Sequence, residues 1–440
     1  MWAMTATTKP LSWRRRTNVI SLIRETRTYG LREALLGGTG LRDAGRLEGF
    51  FLRLLFAIVV WRSLEFYPAY PGAPKPVGLA AWPALWEWLG WEITRLSDPV
   101  FWAQCLTWVK VALCFYVLGC GLPVALPVIT LVHVAIRTLN NSQGAAHHGF
   151  QMVSLALLTQ TLVVWFLALA RGWIFVRKKP MPRWAAPGNW TWLWVYTLAI
   201  AAASYIISVC SKLDESRGQW LKNSPYVATQ IVKTHRQNYY NNLDPQFIQG
   251  VAPATPAEAD PATGRYRHPI PASADWLGRY PNLARIVFGA GFFVELLVFL
   301  AVLDRRAALF FGLGLVSLHG SIAWLMELSF PFNERTVGIF FLNAAGWLVL
   351  MAKDPAWRPT RAIWLGAAIL AAVLLAAHLA TATSESTLAH FLDLAHHPAA
   401  IIPGLFHWPV AVKWVVVLAF QILLIAAVAV SAQSLRRRRA

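Results

Sequence analysis

Acidic residues are scarce in this chain. Twenty-one Asp and Glu stand against 40 Lys and Arg, a formal net charge of +19. In a soluble protein that excess would suggest nucleic acid. Charged residues of both signs, however, make up only 14% of the 440 positions, while 57% are hydrophobic and 23 are Trp. This composition excludes an ordinary soluble domain and fits a polytopic membrane protein, so no nucleic-acid partner is expected. Cysteine is scarce too. Cys105, Cys114, Cys120 and Cys210 lie in or at the ends of apolar runs, with no CxxC and no His at metal spacing. They read as small core residues, and no metal is expected. Walker and dinucleotide motifs are also missing. So is a cleavable signal pattern: the first run suited to spanning begins near Gly49, after a basic stretch containing Arg14, Arg15 and Arg16.

What the chain has is a series of apolar runs of spanning length, each near the roughly 20 residues a bilayer requires. Residues 1–48 read as a basic N-terminal tail, in which Ile20, Ile23, Leu31 and Leu35 could share one face of a surface helix. Spans are expected over 49–67, 100–120, 123–139, 150–170, 190–210, 285–303, 307–327, 336–352, 362–382 and 409–432. Trp82, Trp86, Trp88 and Trp91 suit an interfacial belt or a re-entrant helix. The insert 211–284 is too polar to span. The expected fold is an all-α polytopic integral membrane helical bundle of about ten transmembrane helices. Residues 49–352 form its main bundle, and 353–440 add two further helices and a basic tail. An even number of spans puts both termini on one side. The N-terminal tail, the 171–183 cluster, Arg305-Arg306, the 353–361 loop and Arg436 to Arg439 then all fall on that side. The positive-inside rule makes it cytoplasmic, consistent with a bacterial inner membrane.

On this topology several chemistry-bearing residues converge on the outer mouth. The fifth span ends Tyr205-Ile206-Ile207-Ser208-Val209-Cys210-Ser211-Lys212-Leu213-Asp214. Lys212 is either a snorkelling anchor or a base whose amine is tuned by desolvation, and pairing with Asp214 or Glu215 would oppose that tuning. The polar loop Asn140-Asn141-Ser142-Gln143-Gly144-Ala145-Ala146-His147-His148 opens onto the same side, as does Glu327. His147 and His148 could orient a ligand or shuttle protons. His319, Glu295 and Lys110 lie deep in spans, where an ionisable group costs several kcal/mol unless paired. A structural Lys110–Glu295 pair competes there with a functional role. Arg53 and Arg62 can snorkel, and His133 reads as a helix–helix contact. Gly312, Gly314, Ser317, Gly320 and Ser321 suit close helix packing.

These residues resemble a known family. The helix end carrying Lys212, with Trp220 beyond it, resembles the segment bearing the catalytic lysine of the vitamin K-dependent γ-glutamyl carboxylase family. Asn140-Asn141 with its nearby His resembles that family's polar loop, and Ser317-Leu318-His319 its later histidine helix. Glu295, ahead of Asp304-Arg305-Arg306, fits the wider HTTM (horizontally transferred transmembrane) domain family. The likeness covers about residues 45–352. It implies a multispan bundle, a vitamin K-like quinol cofactor and Lys212 as base. His147, His148 and His319 would be positioning groups, and Asn140, Asn141 and Glu295 would contact substrate. The implied ligand is a quinone or other lipid-like molecule, with oxidation or carboxylation-like chemistry. Two helices and a basic tail stand where the carboxylases carry a large extramembrane region, so peptide carboxylation does not carry over. The competing class is a non-catalytic transporter, drawing on Lys110, Glu295 and His319, or an accessory factor for an exported peptide.

Overall fold

In a computed structural model the chain is described for residues 45–65, 88, 90, 98–142, 148–178, 190–242, 272–326, 328, 330–381 and 409–439. The N-terminal tail and its surface-helix face, most of the Trp-rich segment, Glu327 and the histidines between 390 and 407 lie outside these residues.

The described chain is all-α, a polytopic bundle. The helices are α1 (Arg46–Glu65), α2 (Pro99–Leu118), α3 (Leu122–Ser142), α4 (Gln151–Val176), α5 (Thr191–Glu215), α6 (Val227–Asn242), α7 (Ala272–Arg279), α8 (Pro281–Leu297), α9 (Arg305–Met326), α10 (Pro331–Val337), α11 (Ala344–Lys353), α12 (Arg361–Thr381) and α13 (Val410–Arg439). Among the described residues, seven segments are long and apolar enough to cross a membrane: α2, α4, α5, α8 with its 3-10 extension to Val302, Arg305–Ala323, Pro331–Lys353 and Trp414–Ser434. Leu122–Thr138 and Arg361–Ala377 are shorter apolar helices.

Local chemistry explains the boundaries. Asp98 accepts from the Val100 N–H ahead of Pro99, and Gly119 at φ 77° closes α2, its N–H returning to Phe115 and Tyr116. Helices α2 to α5 pack in sequence order, α5 on α8, and α8 on α9. Helix α1 lies against α2, α5, α10 and α11, while α12 pairs with α13, which touches α9 and α11. The core runs through Phe56, Tyr116, Trp194, Phe340, Phe341 and Trp347, all fully buried.

The span expected over 336–352 is not one continuous helix. A π-helical stretch, Gly338–Leu342, separates α10 from α11, and Asn343 at φ 43° caps α11 by accepting from the Gly346 N–H. A π turn leaves carbonyls out of register with the usual ladder. The Phe340 carbonyl accepts from Trp194 Nε1 at 2.7 Å. Close packing along α9 is as its small residues suggested: a Cβ on Gly312 would strike Phe341 at 2.7 Å, and one on Gly314 would press Val294 at 3.2 Å.

Several sequence readings need correction. Glu48 belongs to α1 rather than to the tail and is buried, with both carboxylate oxygens bonded to Arg305 at 2.7 Å. Asn343 donates to the same carboxylate. Arg53 does not snorkel. It is 3% exposed, donates to the Val117 carbonyl at the end of α2 and stacks on Trp190. Cys114, Cys120 and Cys210 are exposed on the outside of the bundle and are not core residues, whereas Cys105 is intermediate and packs against the core. His133 is a helix contact as expected, between Ser63 and Ser154.

Part of the polar insert packs onto the bundle. After α5, a helical turn Trp220–Asn223 and a 3-10 turn Ser224–Tyr226 lead into α6. Ile231 of α6 and Ala274 and Leu277 of α7 form a small core with Ala284 and Leu325. That core lies over the ends of α8 and α9 that face the Lys212 end of α5.

Candidate functional site

Helices α5 and α8 are antiparallel neighbours, and α5 meets charged groups of neighbouring helices at two levels, Arg305 of α9 and Glu295 of α8. At one end Trp194 lies under the Arg305 guanidinium, 5.0 Å from its ring. At the other end the Lys212 ammonium donates to Glu295 Oε2. Eighteen residues of α5 separate these contacts, or about 27 Å at 1.5 Å per residue, close to the roughly 30 Å thickness of a bilayer's hydrocarbon core.

Lys212 is near the end of α5 and Glu295 lies inside the longer span Pro281–Val302, yet the two meet. Side chains tilt toward the N-terminus of their helix, so on antiparallel partners Lys212 leans into the bundle and Glu295 leans out toward it. The lysine side chain is 28% exposed and the glutamate 7%. The acid bound to Lys212 is thus Glu295 from another helix, and not Asp214 or Glu215. The Lys110–Glu295 pair is also corrected. Lys110 lies on the exposed side of α2, 5.0 Å from the Trp61 ring.

Two turns deeper on the same face of α5, Tyr205 hydrogen-bonds His319 Nε2 at 2.6 Å. A spacing of seven residues returns to nearly the same helix face about 10 Å along the axis. Tyr205 and His319 are both 6% exposed. The His319 ring meets Tyr205 and Phe330 edge-on at 5.7 and 5.5 Å. The carboxylates of Glu295 and Glu334 lie within electrostatic reach of the Tyr205 phenol. Above the ion pair, Trp220 stacks on Phe292 at 5.5 Å, and the Lys212 ammonium sits 5.3 Å from the indole.

A lateral groove of about 520 Å³ runs beside this stack, lined by Leu221, Lys222, Arg285, Ile286, Gly289, Ala290 and Phe293. Its floor is apolar, with two cations at the rim.

The remaining sequence candidates are placed as follows. Helix α3 continues through Ser142, so Asn140 and Asn141 are helical rather than in a loop. His148 begins the 3-10 turn His148–Phe150, which packs on α10 through Phe150 and Phe332, their centroids 4.7 Å apart. For Asn140, Asn141 and His148 the backbone alone is described, and His147 lies outside the described residues. The backbone at His148 is therefore connected to His319 through Phe150, Phe332 and Phe330. The side chains brought together are Lys212 with Glu295 and Tyr205 with His319.

Tyr205, Phe292 and Glu334 were not among the candidates. A signal for Tyr205 was present, because it stands seven residues before Lys212. None marked Glu334, which is 1% exposed. Among the described residues no three His, Cys, Asp or Glu side chains gather as a metal site would require.

Chemically, the arrangement pairs a partly exposed ammonium with a buried carboxylate under an aromatic wall, and backs them with a phenol–imidazole pair. Such a set can hold a planar hydroxylated ring and move a proton between amine and carboxylate. Comparison with family models, curated proteins and solved structures finds no match to the chain. The class that the fold defines is a polytopic α-helical membrane protein.

Proposed function

We propose that this is an HTTM-type integral membrane enzyme whose site, centred on Lys212, acts on a quinol or other lipid-like molecule by oxidation or carboxylation-like chemistry. The observation that carries the reading is the stacking of two hydrogen-bonded polar pairs on one face of α5, beneath the Trp220–Phe292 wall. The residues present fit a quinol. The aromatic stack offers a flat surface, Lys212 a polar group at its edge, and the apolar groove a lateral path from the bilayer. When bound, a hydroquinone would supply the redox and base-generating chemistry that the carboxylase resemblance implies.

The chain's own residues have definite tasks in this reading. Lys212 can accept a proton only after its own has moved, and the group in place to take it is Glu295, already hydrogen-bonded to the amine. The pair is a base with a built-in acceptor. Tyr205 and His319 hold the next position inward, where a second hydroxyl or carbonyl of a ring could be bonded. His147, His148, Asn140 and Asn141 would contribute from the α3–α4 side of the same mouth, which this topology makes extracytoplasmic. Both termini are then cytoplasmic, as in a bacterial inner-membrane protein.

One observation favours a second reading. Because Glu295 occupies the Lys212 amine, the contact can also act as a clamp between α5 and α8 in a non-catalytic protein, a transporter or an accessory factor for an exported peptide. The line of ionisable groups proposed for transport is weakened, since Lys110 stands apart from Glu295.

Mass spectrometry of lipids retained on gentle extraction separates the two readings. A quinone or related prenyl lipid bound to the wild type and reduced in Trp220→Ala supports the enzyme. Extraction without any such lipid supports the clamp.

A further inference from the structure

Arg137 lies one turn from the end of α3, where the chain approaches the start of α4. It is 7% exposed and its guanidinium lies 3.6 Å over the Phe150 ring. Its Nε and Nη2 are buried with no hydrogen-bond acceptor among the described residues, and no carboxylate among them pairs with it. A snorkelling arginine would extend its head group into water. This one is folded inward. A cation–π contact offsets only part of the cost of burying a guanidinium, and the planar fork is shaped for bidentate bonding to an oxyanion.

The guanidinium faces a cavity of about 260 Å³ between α3 and α4, lined by Val134, Arg137, Thr138, Phe150, Ser154 and Leu155 among others. Ser154 adds a hydroxyl, itself bonded to His133 Nδ1 and the Phe150 carbonyl. Below the cavity, Leu131, Leu155 and Leu158 are exposed on the outer faces of α3 and α4. The cavity sits at the end of a helix pair, and its surroundings change from cationic to apolar over about two turns. That is the polarity profile of a lipid lying with its headgroup at the interface.

We infer that this cavity binds the anionic headgroup of a membrane lipid, a phosphate or carboxylate held by Arg137, with the tails running over Leu131, Leu155 and Leu158. It is a site separate from Lys212, on the far side of α4 from α5, and stands whether or not that centre is catalytic. Through Phe150, which stacks on both Arg137 and Phe332, occupancy would brace α10 and the His148 turn.

Native mass spectrometry of the full chain in detergent tests this, with dioleoylphosphatidylglycerol as probe, dioleoylglycerol as the tail-matched neutral control and inorganic phosphate as the free anion. The wild type is expected to hold phosphatidylglycerol about tenfold or more tightly than Arg137→Gln does, the loss expected for charge-assisted hydrogen bonds. Dioleoylglycerol is expected to bind the wild type no better than the variant. Equal phosphatidylglycerol binding by the variant, or equal binding of dioleoylglycerol and phosphatidylglycerol, overturns the proposal. Displacement of the lipid by equimolar inorganic phosphate overturns the lipid as the source of the anion. Should Arg137→Gln not fold, Leu155→Trp narrows the cavity from an exposed position. Loss of the lipid with an unchanged lipid-free Tm supports the site, and undiminished binding refutes it.

Discussion

Replacing Glu48 with alanine removes the acid from the most buried ion pair described in the protein. Its side chain is 2% exposed and that of Arg305 is 7%, with both guanidinium–carboxylate contacts at 2.7 Å. Asn343 bonds the same carboxylate, and Asn343 also caps α11, so one acid secures α1, α9 and α11 together. Three hydrogen bonds to a charged group, at about 1.5–3 kcal/mol each, would sum to about 4.5–9 kcal/mol, a large share of the roughly 5–15 kcal/mol by which folded proteins are stable. The sum overstates the cost, because a released arginine near a helix end can extend toward water. Loss of one partner of a buried pair costs about 3–5 kcal/mol, and that is the expected effect of Glu48→Ala. Removing both charges together, as Glu48→Gln with Arg305→Met, should cost less than either charge-deleting single change, since no buried charge is then left behind. Reversible unfolding in mixed micelles, followed by circular dichroism, gives the values for Glu48→Ala, for each single change of the pair and for the double change. A loss under about 1 kcal/mol for Glu48→Ala, or strictly additive single changes, would refute the idea that this pair closes the bundle.

Other changes test separate parts of the structure. Gly346→Ala would place a methyl group against Arg305, Glu48 and Asn343, and should cost about 1–3 kcal/mol in the same unfolding assay. Gln160 accepts from the Tyr116 hydroxyl and donates to Thr197, joining α2, α4 and α5. Gln160→Leu should therefore cost about 1–3 kcal/mol by leaving buried hydroxyls without their partner, and an unchanged midpoint would contradict that role. Tyr205→Phe keeps the ring against His319 but deletes the 2.6 Å bond, for an expected loss of about 1 kcal/mol. If the pair serves only stability, Tyr205→Phe should leave lipid retention unchanged; the enzyme reading expects weaker retention.

The helices were legible because long apolar runs interrupted by Pro, Gly and charge leave little choice in a membrane. What escaped were features whose signal spans distant parts of the chain. Glu48 reads as the last residue of a charged tail and Arg305 as part of a basic turn. Only the fold brings together residues 257 positions apart. Arg53 was read as snorkelling by its nearness to a helix end, but Trp190 and the Val117 carbonyl give it a buried niche. Lys212 was visible as a lysine closing an apolar helix, and Glu295 as an acid deep in another. That they bond depends on the antiparallel tilt of their side chains, which no local pattern encodes. The π turn at 338–342 likewise has no composition of its own: its residues, Gly338 to Leu342, are simply an apolar run.

The proposed function rests on Lys212 being a working base and not a clamp. It is tested most directly by quinol-dependent turnover of the purified protein in lipid nanodiscs, comparing the wild type with Lys212→Ala and Lys212→Met at matched folded amounts. A working base requires activity in the wild type and its loss in both variants, with unfolding midpoints shifted by no more than the loss of one partly exposed ion pair. Undiminished turnover in a folded Lys212→Met protein, or no quinol-dependent turnover in the wild type, would contradict it.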